Sequence, residues 1–395
     1  MPPLLLPVLS DLPDEVVGIA ATLERAGFET WCVGGALRDR LLGSPAMDVD
    51  LATAARPEEV RRIFPRTVAV GARFGTVGVL DSQRVLHEVT TFRKDVETDG
   101  RHAVVEFGAT LEEDLARRDF TINALAYHPI RQEWRDPHAG AADLQGRVIR
   151  AVGNPATRFA EDYLRILRAL RFAARLRFTI EPATWRAAAA AAPGLAGLSA
   201  ERVRDEWFKG LATAQSIAAL VTLWHEVGAA RVWLPELTAG YPFPDDPPAI
   251  RDPVILTAGL CDQPDQVLER LRASNEEIAR ARALRTGPLT PAGTDAPSVR
   301  RWMAEAQDAA DDLIQLAGLR AGGVPEWSAV VAGIRSRGEA TSRAGLAVSG
   351  ADLLAIGVPA GPELGRLLSR LLDAVLEDPA LNTREALLAL AEGWR

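Results

Sequence analysis

The chain has 395 residues, too many for one ordinary hydrophobic core, so we expect two to four domains. Apolar residues make up 48% and charged residues 25% of it, as in an ordinary globular protein. No apolar run is long enough to span a bilayer and no secretion signal opens the chain, so we expect no membrane partner and a cytoplasmic location. The two cysteines argue against a zinc cluster or a disulfide framework, and a net charge of −8 excludes no partner, because basic residues can gather on one face.

The first predicted elements surround a Gly-Gly turn. Apolar residues at helical spacing from Val16 to Ala26 predict a helix, and residues 31–33 predict a short buried strand. Gly34 and Gly35 then predict a tight turn that leads into a helix over residues 36–42. A glycine turn at a helix N-terminus favours phosphate binding, although such a turn alone is weak evidence.

A second strand is predicted over residues 47–51. Asp48 and Asp50 lie two residues apart on it, so both carboxylates project from one face while the residues between and beside them face the core. Two adjacent carboxylates repel each other, and a cation relieves the repulsion; carboxylate oxygens suit Mg²⁺. A lone pair of this kind is also common on ordinary strands. Together with the glycine turn, it predicts nucleotidyl transfer.

Here the chain resembles the family of class II tRNA nucleotidyltransferases (CCA-adding enzymes) and bacterial poly(A) polymerases. That family shows the pattern GGxVRDxLLGxxxxDxDxA, and this chain has GGALRDRLLG from Gly34 to Gly43, then DVDLA from Asp48 to Ala52. Leucine for valine is the only departure. The resemblance implies that Asp48 and Asp50 are catalytic metal ligands and that Gly34, Gly35 and Arg38 bind the nucleotide.

Three further strands are predicted over residues 67–70, 76–80 and 85–92, the first two as a hairpin. Glu88 on the third strand is predicted to be a third acidic group of the catalytic site, near the metal. An ordinary surface glutamate is the alternative.

Residues 94–102 are polar and contain glycine, which predicts a mobile loop, and residues 103–107 predict a strand. The position of this loop matches a flexible loop that the resemblance implies is needed to add the terminal A. Because the stretch is intact, the resemblance favours an enzyme able to add A.

A second motif, RRDFTINAL, runs from Arg117 to Leu125 and resembles the RRDxxxNA of the same family. Arg118 can pair with triphosphate oxygens, whereas Asp119 and Asn123 can hydrogen-bond ribose hydroxyls and so select ribonucleotides. A capping cluster at a helix N-terminus is the alternative.

Residues 159–178 predict one helix that carries Glu161, Asp162 and Arg165, the EDxxR with which the family reads the base. Asp162, Arg165, Arg168 and Arg171 recur every third residue and fan across one broad face. Asp162 and Arg165 would offer an acceptor and donors to a base edge, and Arg168 and Arg171 would contact phosphate or the primer end. A solvated face with ion pairs is the alternative.

The remaining chain is predicted to be helical. Residues 198–206 resemble the family's last shared motif, which we interpret as support for the base-reading helix. Beyond residue 215 the motifs thin out. Candidates for phosphate contact are Arg270, Arg272, Arg280, Arg282, Arg300 and Arg301, and a solvated face explains them equally well.

The fold class we predict is α+β: an N-terminal nucleotidyltransferase head with a mixed sheet and helices, followed by an all-α neck, body and tail. The boundaries are 1–145, 146–214, 215–298 and 299–395. The resemblance implies that the last two parts grip tRNA.

The resemblance implies an enzyme that adds the 3′-terminal CCA to the acceptor end of tRNA from CTP and ATP, with two Mg²⁺, and releases pyrophosphate. Alternatives are the A-adding or CC-adding half of a split system, or a poly(A) polymerase. From another class, a non-catalytic RNA-binding protein would gain nothing from two carboxylates that repel phosphate. The five histidines form no HD pair, which argues against phosphohydrolase activity.

Overall fold

The structure, a computed structural model, describes residues 6–44, 48–71, 75–98, 103–246 and 248–394. The chain divides into two compact units, residues 1–235 and 236–395. In the described ranges, no helix is long and apolar enough to cross a membrane. The finer division into head, neck, body and tail stays a prediction.

The first part of unit 1 contains most of the strands. Its elements are α1 (Asp14–Arg25), β1 (Thr30–Val33), α2 (Gly35–Leu41), β2 (Asp50–Thr53), α3 (Pro57–Ile63), β3 (Thr67–Gly71), β4 (Thr76–Leu80), β5 (Leu86–Thr91), β6 (Arg93–Thr98), β7 (Ala103–Phe107), α4 (Leu111–Ala116), β8 (Ala126–His128), β9 (Glu133–Arg135), α5 (Gly140–Gly146) and β10 (Val148–Ile149).

Seven of these strands form a mixed sheet in the order β3-β4-β5-β2-β1-β8-β9. Strands β2 and β5 are parallel, and the other neighbours are antiparallel. One face packs on α1 and α3 and buries Val49, Leu51 and Val89. Because successive side chains alternate and Leu51 pairs with Val89, Asp50 and Glu88 lie side by side on the opposite face. The mixed sheet with helices confirms the predicted class of the head.

The second strand begins later than predicted. Strand β2 starts at Asp50 and continues to Thr53, which pairs with Thr30 of β1. Asp48 precedes the strand as an exposed residue, and Met47 lies outside the described residues. The strand extends to Thr53 because β1 and β5 pair with it on both sides.

The predicted loop over residues 94–102 is wrong for its first part. Residues 93–98 form β6, which pairs antiparallel with β7, and the cross-strand neighbours Lys94 and Glu106 form an ion pair at 3.1 Å. This two-stranded ribbon lies outside the main sheet, so backbone pairing forms it without the apolar alternation that marks a core strand. Residues 99–102 lie outside the described ranges.

The rest of unit 1 is mostly helical. Its elements are α6 (Pro155–Glu161), α7 (Leu164–Leu176), β11 (Thr179–Ile180), α8 (Pro182–Ala191), α9 (Ala200–Thr213), α10 (Ile217–Glu226) and α11 (Ala229–Trp233). Strand β11 pairs with β10. This part was predicted to be all-α, and the short strand pair is the departure from that prediction.

The prediction of one continuous helix over residues 159–178 is also wrong. Asp162 is extended, with φ −155° and ψ 106°, and separates α6 from α7. Its Oδ1 accepts a hydrogen bond from the Leu164 N–H at 3.0 Å. Aspartate competes in this way for backbone donors, which is why it favours helix ends over helix interiors.

Every described element of unit 2 is helical, as predicted. The α-helices are α12 (Pro253–Leu260), α13 (Pro264–Arg270), α14 (Asn275–Thr286), α15 (Ala296–Ala306), α16 (Ala310–Ala321), α17 (Ser328–Ser336), α18 (Gly350–Ala355), α19 (Pro362–Glu377) and α20 (Arg384–Gly393). A core around Leu353, Leu371 and Leu387 joins the last three.

Candidate active site

One cavity of about 640 Å³ in unit 1 collects all but one of the predicted site residues. These are Gly34, Gly35, Arg38, Asp50, Glu88, Arg118, Asp119, Asn123, Asp162, Arg165, Arg168 and Arg171. Asp48 does not line it but lies two residues before Asp50 in the chain, on the exposed segment that leads into β2. The sheet, the Gly-Gly turn and helix α7 therefore bring three separate motifs together.

The acidic side of the cavity is formed by Asp50 and Glu88, with Asp48 close enough to act on Asp50. Burial and, after it, the negative charges of Glu88 and Asp48 raise the pKa of Asp50 to about 6, against the lowering effect of Arg118. Among the described residues, no group of three or more acidic, histidine or cysteine side chains is gathered as a metal site. Glu88 is thus an electrostatic neighbour of Asp50, and its catalytic role stays a prediction.

The donors at this end suit a divalent cation. Carboxylate oxygens are the ligands that Mg²⁺ prefers, and a cation would favour the charged form of Asp50, which burial and the neighbouring carboxylates disfavour.

Gly34 allows the turn to approach Asp50 closely. Its φ is 87°, a left-handed value that favours glycine, and a Cβ built on it would lie 3.1 Å from Asp50 Oδ2 and 3.8 Å from an Arg118 nitrogen. The turn therefore brings backbone against both an acidic and a basic side chain.

Arg38 on α2 is buried, with 2% of its surface exposed. It donates to Asn123 Oδ1 at 2.6 Å and to Asp39 Oδ1 at 2.9 Å, and its guanidinium lies 4.9 Å from the centre of the Phe172 ring. Burial lowers the pKa of Arg38, whereas Asp39 raises it.

Arg118 retains hydrogen-bonding capacity for a ligand. It donates to Asp114 Oδ2 at 3.2 Å and to the Asn123 carbonyl at 3.3 Å. Its Nε is buried without a hydrogen-bond partner. A buried guanidinium donor without a partner carries an energetic cost. The guanidinium of Arg118 also lines the cavity, where it can pair with an anion.

Asp119 and Asn123 are bonded to protein groups. Asp119 accepts from Asn123 Nδ2 at 3.0 Å, from the Phe120 N–H at 2.8 Å and from Arg168 Nε at 2.7 Å. Burial alone would raise the pKa of Asp119, but Arg168 and these hydrogen bonds lower it to about 2. The predicted ribose contacts would thus come from side chains that are already fixed in orientation.

Asp162 and Arg165 both line the cavity but do not pair with each other. Asp162 Oδ2 accepts from Arg202 at 2.7 Å. Arg165 donates to Glu161 at 2.6 Å and to the carbonyl of Arg117 at 2.9 Å. Each of the two predicted base-reading side chains is therefore held by its own partner.

Arg168 and Arg171 pack around Phe172. Their guanidinium carbons lie 5.4 and 4.3 Å from the ring centre, within the range of cation–π attraction. Arg171 is buried and donates to Glu206 at 2.6 Å. The predicted phosphate contact suits Arg168, which is about one-third exposed, better than Arg171.

The sequence analysis missed several residues that line the cavity, namely Thr76, Thr90, Arg93, Asp114, Arg117, Phe172, Arg175 and Arg202. Arg175 continues the row of arginines on α7 and contacts Asp39 at 2.9 Å. Arg202 lies in the motif that we interpreted as support. Asp114 carried no signal of its own, because its role depends on the folded contacts with Arg117 and Arg118.

Comparisons with known proteins cover most of the chain. Residues 30–150 match the family described as Poly A polymerase head domain. Residues 177–240 match an RNA and SrmB-binding site of polymerase A, and residues 310–391 match a tRNA nucleotidyltransferase domain 2.

Curated relatives match over two different extents. The CCA-adding enzyme of Levilactobacillus brevis is 35% identical over 411 residues, which cover 96% of this chain and 98% of that protein. The CCA-adding enzyme of Streptococcus gordonii is 50% identical over 206 residues, 51% of each chain, so the match spans about half the length of that relative.

Solved structures include the Bacillus stearothermophilus CCA-adding enzyme in complex with CTP, with a TM-score of 0.83, 32% identity and 98% of each chain covered. The Thermotoga maritima CCA-adding enzyme complexed with tRNA shares the fold, with a TM-score of 0.67 and 18% identity over 98% of each chain. The full-length similarity to the Levilactobacillus protein carries the assignment. This chain belongs to the family of CCA-adding enzymes, the class II tRNA nucleotidyltransferases.

Proposed function

We propose that the chain builds the 3′-terminal CCA of tRNA without a template, using CTP and ATP and releasing pyrophosphate. The observation that carries this proposal is the single cavity in which the Gly-Gly turn, the acidic strands and the arginines of α7 meet. The full-length relatives named CCA-adding enzyme favour the complete reaction over a half reaction.

The acidic end of the cavity would hold Mg²⁺ through Asp48 and Asp50, with Glu88 beside them. A bound divalent cation supplies positive charge that activates the attacking hydroxyl and neutralises the leaving group. The raised pKa of Asp50 supports this role, because burial and the neighbouring carboxylates disfavour its charged form, which a bound cation would favour.

The basic wall would hold the triphosphate. Gly35 opens helix α2, and Arg38 and Arg118 lie beside it with fixed orientations. The 3′-hydroxyl of the tRNA attacks the α-phosphorus, a new P–O bond forms, and the bond to the β-phosphate oxygen breaks. Asp119 and Asn123 would face the ribose.

Base choice is assigned to Asp162 and Arg165. Their partners Arg202 and Glu161 hold an acceptor and a set of donors apart on the cavity wall. C and A would both be accepted if these side chains exchange partners when the base enters.

The remaining assignments complete the proposal. The neck, body and tail would be separate domains that follow the head in the chain, and the helices of unit 2 would bind tRNA. The location would be cytoplasmic, which cell fractionation would check.

Replacing either aspartate tests the proposed chemistry. Asp48→Ala and Asp50→Ala should each lower incorporation of CTP and ATP into tRNA by at least about a thousandfold, because the cation loses a ligand where charge develops. Glu58→Ala, an exposed carboxylate on α3, serves as the control and should retain wild-type activity. Circular dichroism should show all three variants folded. Near-normal activity in either aspartate variant would overturn the assignment.

A further inference from the structure

The open face of the sheet continues from the cavity to an apolar patch at the sheet edge. Strands β4 and β3 lie beyond β5, and register places Val68, Gly78 and Glu88 in one row across them. Residues that pair across neighbouring strands share a face, so this row belongs to the face that carries Asp50.

The patch consists of Val68, Val70 and Leu86, which are 45%, 42% and 37% exposed. Gly78 lies beneath it: a Cβ at this position would lie 2.6 Å from Leu86 Cδ1 and 2.8 Å from Val70 Cγ2. The missing side chain therefore lets two apolar groups close over the middle strand. We call these three residues the edge platform.

The proposed chemistry determines which substrate reaches this side of Asp50. In-line transfer places the attacking hydroxyl and the leaving pyrophosphate on opposite sides of the α-phosphorus. The Gly-Gly turn and Arg38 lie on the β1 side of β2, whereas β5, β4 and β3 lie on the other. With the triphosphate on the β1 side, in-line attack brings the RNA end in from the side of the edge platform.

The distance fits the nucleotides next to the RNA terminus. Strand β3 is three strand spacings from β2, about 14 Å, too far for the terminal nucleotide that presents its hydroxyl to Asp50. Between the two lie the threonine hydroxyls of Thr76 and Thr90, 3.0 Å apart, which can meet a sugar or phosphate.

We propose that the edge platform is the docking surface for the single-stranded 3′ end of the RNA substrate, on which the bases just upstream of the terminal nucleotide pack. This inference rests on the proposed function. Apolar contact with the face of a base does not depend on its hydrogen-bonding edge, so the contact is tolerant of sequence. The growing end requires such tolerance when it changes from the discriminator base to C and then CC.

The test separates RNA binding from nucleotide binding. The double variant V68S/V70S should raise the KM for tRNA lacking CCA by about fivefold or more, since apolar contact area is lost, while the KM for CTP stays unchanged. V68I/V70I, which keeps the apolar surface, should retain the wild-type KM for tRNA. Ile130→Ser serves as a matched control, because Ile130 is 47% exposed near the opposite edge of the same sheet.

Thermal unfolding should show that the serine variants are folded. If V68S/V70S does not fold, V68T/V70T keeps the β-branched shape and carries the same comparison. If wild type is active and V68S/V70S has an unchanged KM for tRNA, the role of the edge platform is contradicted but the proposed function is not. If the wild-type protein extends no RNA, the proposed function itself is contradicted. Gel filtration tests whether a second copy of the chain occupies this surface instead. If the wild type is a dimer that the substitutions dissociate, and the KM for tRNA is unchanged, the surface is a dimer interface.

Discussion

Asp50, proposed as a ligand of the catalytic cation, carries a cost in stability. Its folded pKa of about 6 lies above the ordinary value of 3.8, mainly because of burial and then because of Glu88 and Asp48. The folded protein therefore binds a proton more tightly than the unfolded chain between those two pH values. The contribution of this group to stability falls as the pH rises from about 4 through about 6, and the full cost is present at neutral pH.

Asp50→Asn should remove that cost. With EDTA at pH 7.5, the variant should be more stable than wild type by about 1–3 kcal/mol, since each pKa unit corresponds to about 1.4 kcal/mol. The difference should shrink toward zero near pH 4. Denaturant unfolding across this pH range measures it.

Magnesium provides the control for the same pair. Millimolar Mg²⁺ should raise the melting temperature of wild type, because a ligand that binds only the folded state stabilises it, and should have a smaller effect on Asp50→Asn. If Asp50→Asn is less stable than wild type at pH 7.5 in EDTA, the ionised Asp50 carboxylate does not destabilise the folded protein.

At the scale of elements, the turn before α2 can be tested through its glycine. Gly34→Ala forces a side chain onto φ 87° and places a Cβ 3.1 Å from Asp50 Oδ2. With ψ −156° this backbone conformation is open essentially to glycine only, so we expect a loss of about 1–3 kcal/mol in the free energy of unfolding. We also expect a kcat at least about tenfold lower, because Asp50 is displaced.

Gly43→Ala is the matched control for that turn. Gly43 follows the same helix with φ 77°, but a Cβ on it would meet nothing within 4 Å. Gly43→Ala should also lower stability, because of the positive φ, but should leave kcat near wild type. Equal kcat values for the two variants would show that the close approach of Gly34 to Asp50 does not matter for activity.

The same elements show what local sequence can specify. The first strand, the Gly-Gly turn and the strands around Val77 and Val89 follow from short-range patterns, because burial on one face imposes alternation. The break at Asp162 does not follow, since apolar spacing continues across it and only the hydrogen bond to Leu164 reveals the interruption. Strand β7 was predicted, but its partner β6 was missed, because the polar residues of β6 pair outside the main sheet and leave no apolar signature.

The hydrogen-bond partners of the candidate site residues likewise could not be predicted from the sequence. Motif spacing identified Asp162 and Arg168, but their partners Arg202 and Asp119 are 40 and 49 residues away in the chain. Such pairs depend on how α7 packs against α9 and against the segment after α4, which no local pattern encodes.

At the scale of the whole molecule, the arginines of unit 2 illustrate why RNA contacts are hard to assign from composition. Arg300 is buried and donates to Glu339 at 2.8 Å, so it supports the fold. Arg280 bridges Asp252 and Asp312. Arginines that are already paired with carboxylates contribute less to phosphate binding than their number suggests.

The proposed function requires both units of the chain to act on one tRNA. The most direct test supplies purified protein and Mg²⁺ with three tRNAs, lacking CCA, CA or A, each with labelled CTP, ATP or both. The account predicts C, C and A added in order to the tRNA that lacks CCA, and addition that stops after A. Extension of the CC-ending tRNA alone, by one A, would contradict it and identify the A-adding half of a split system.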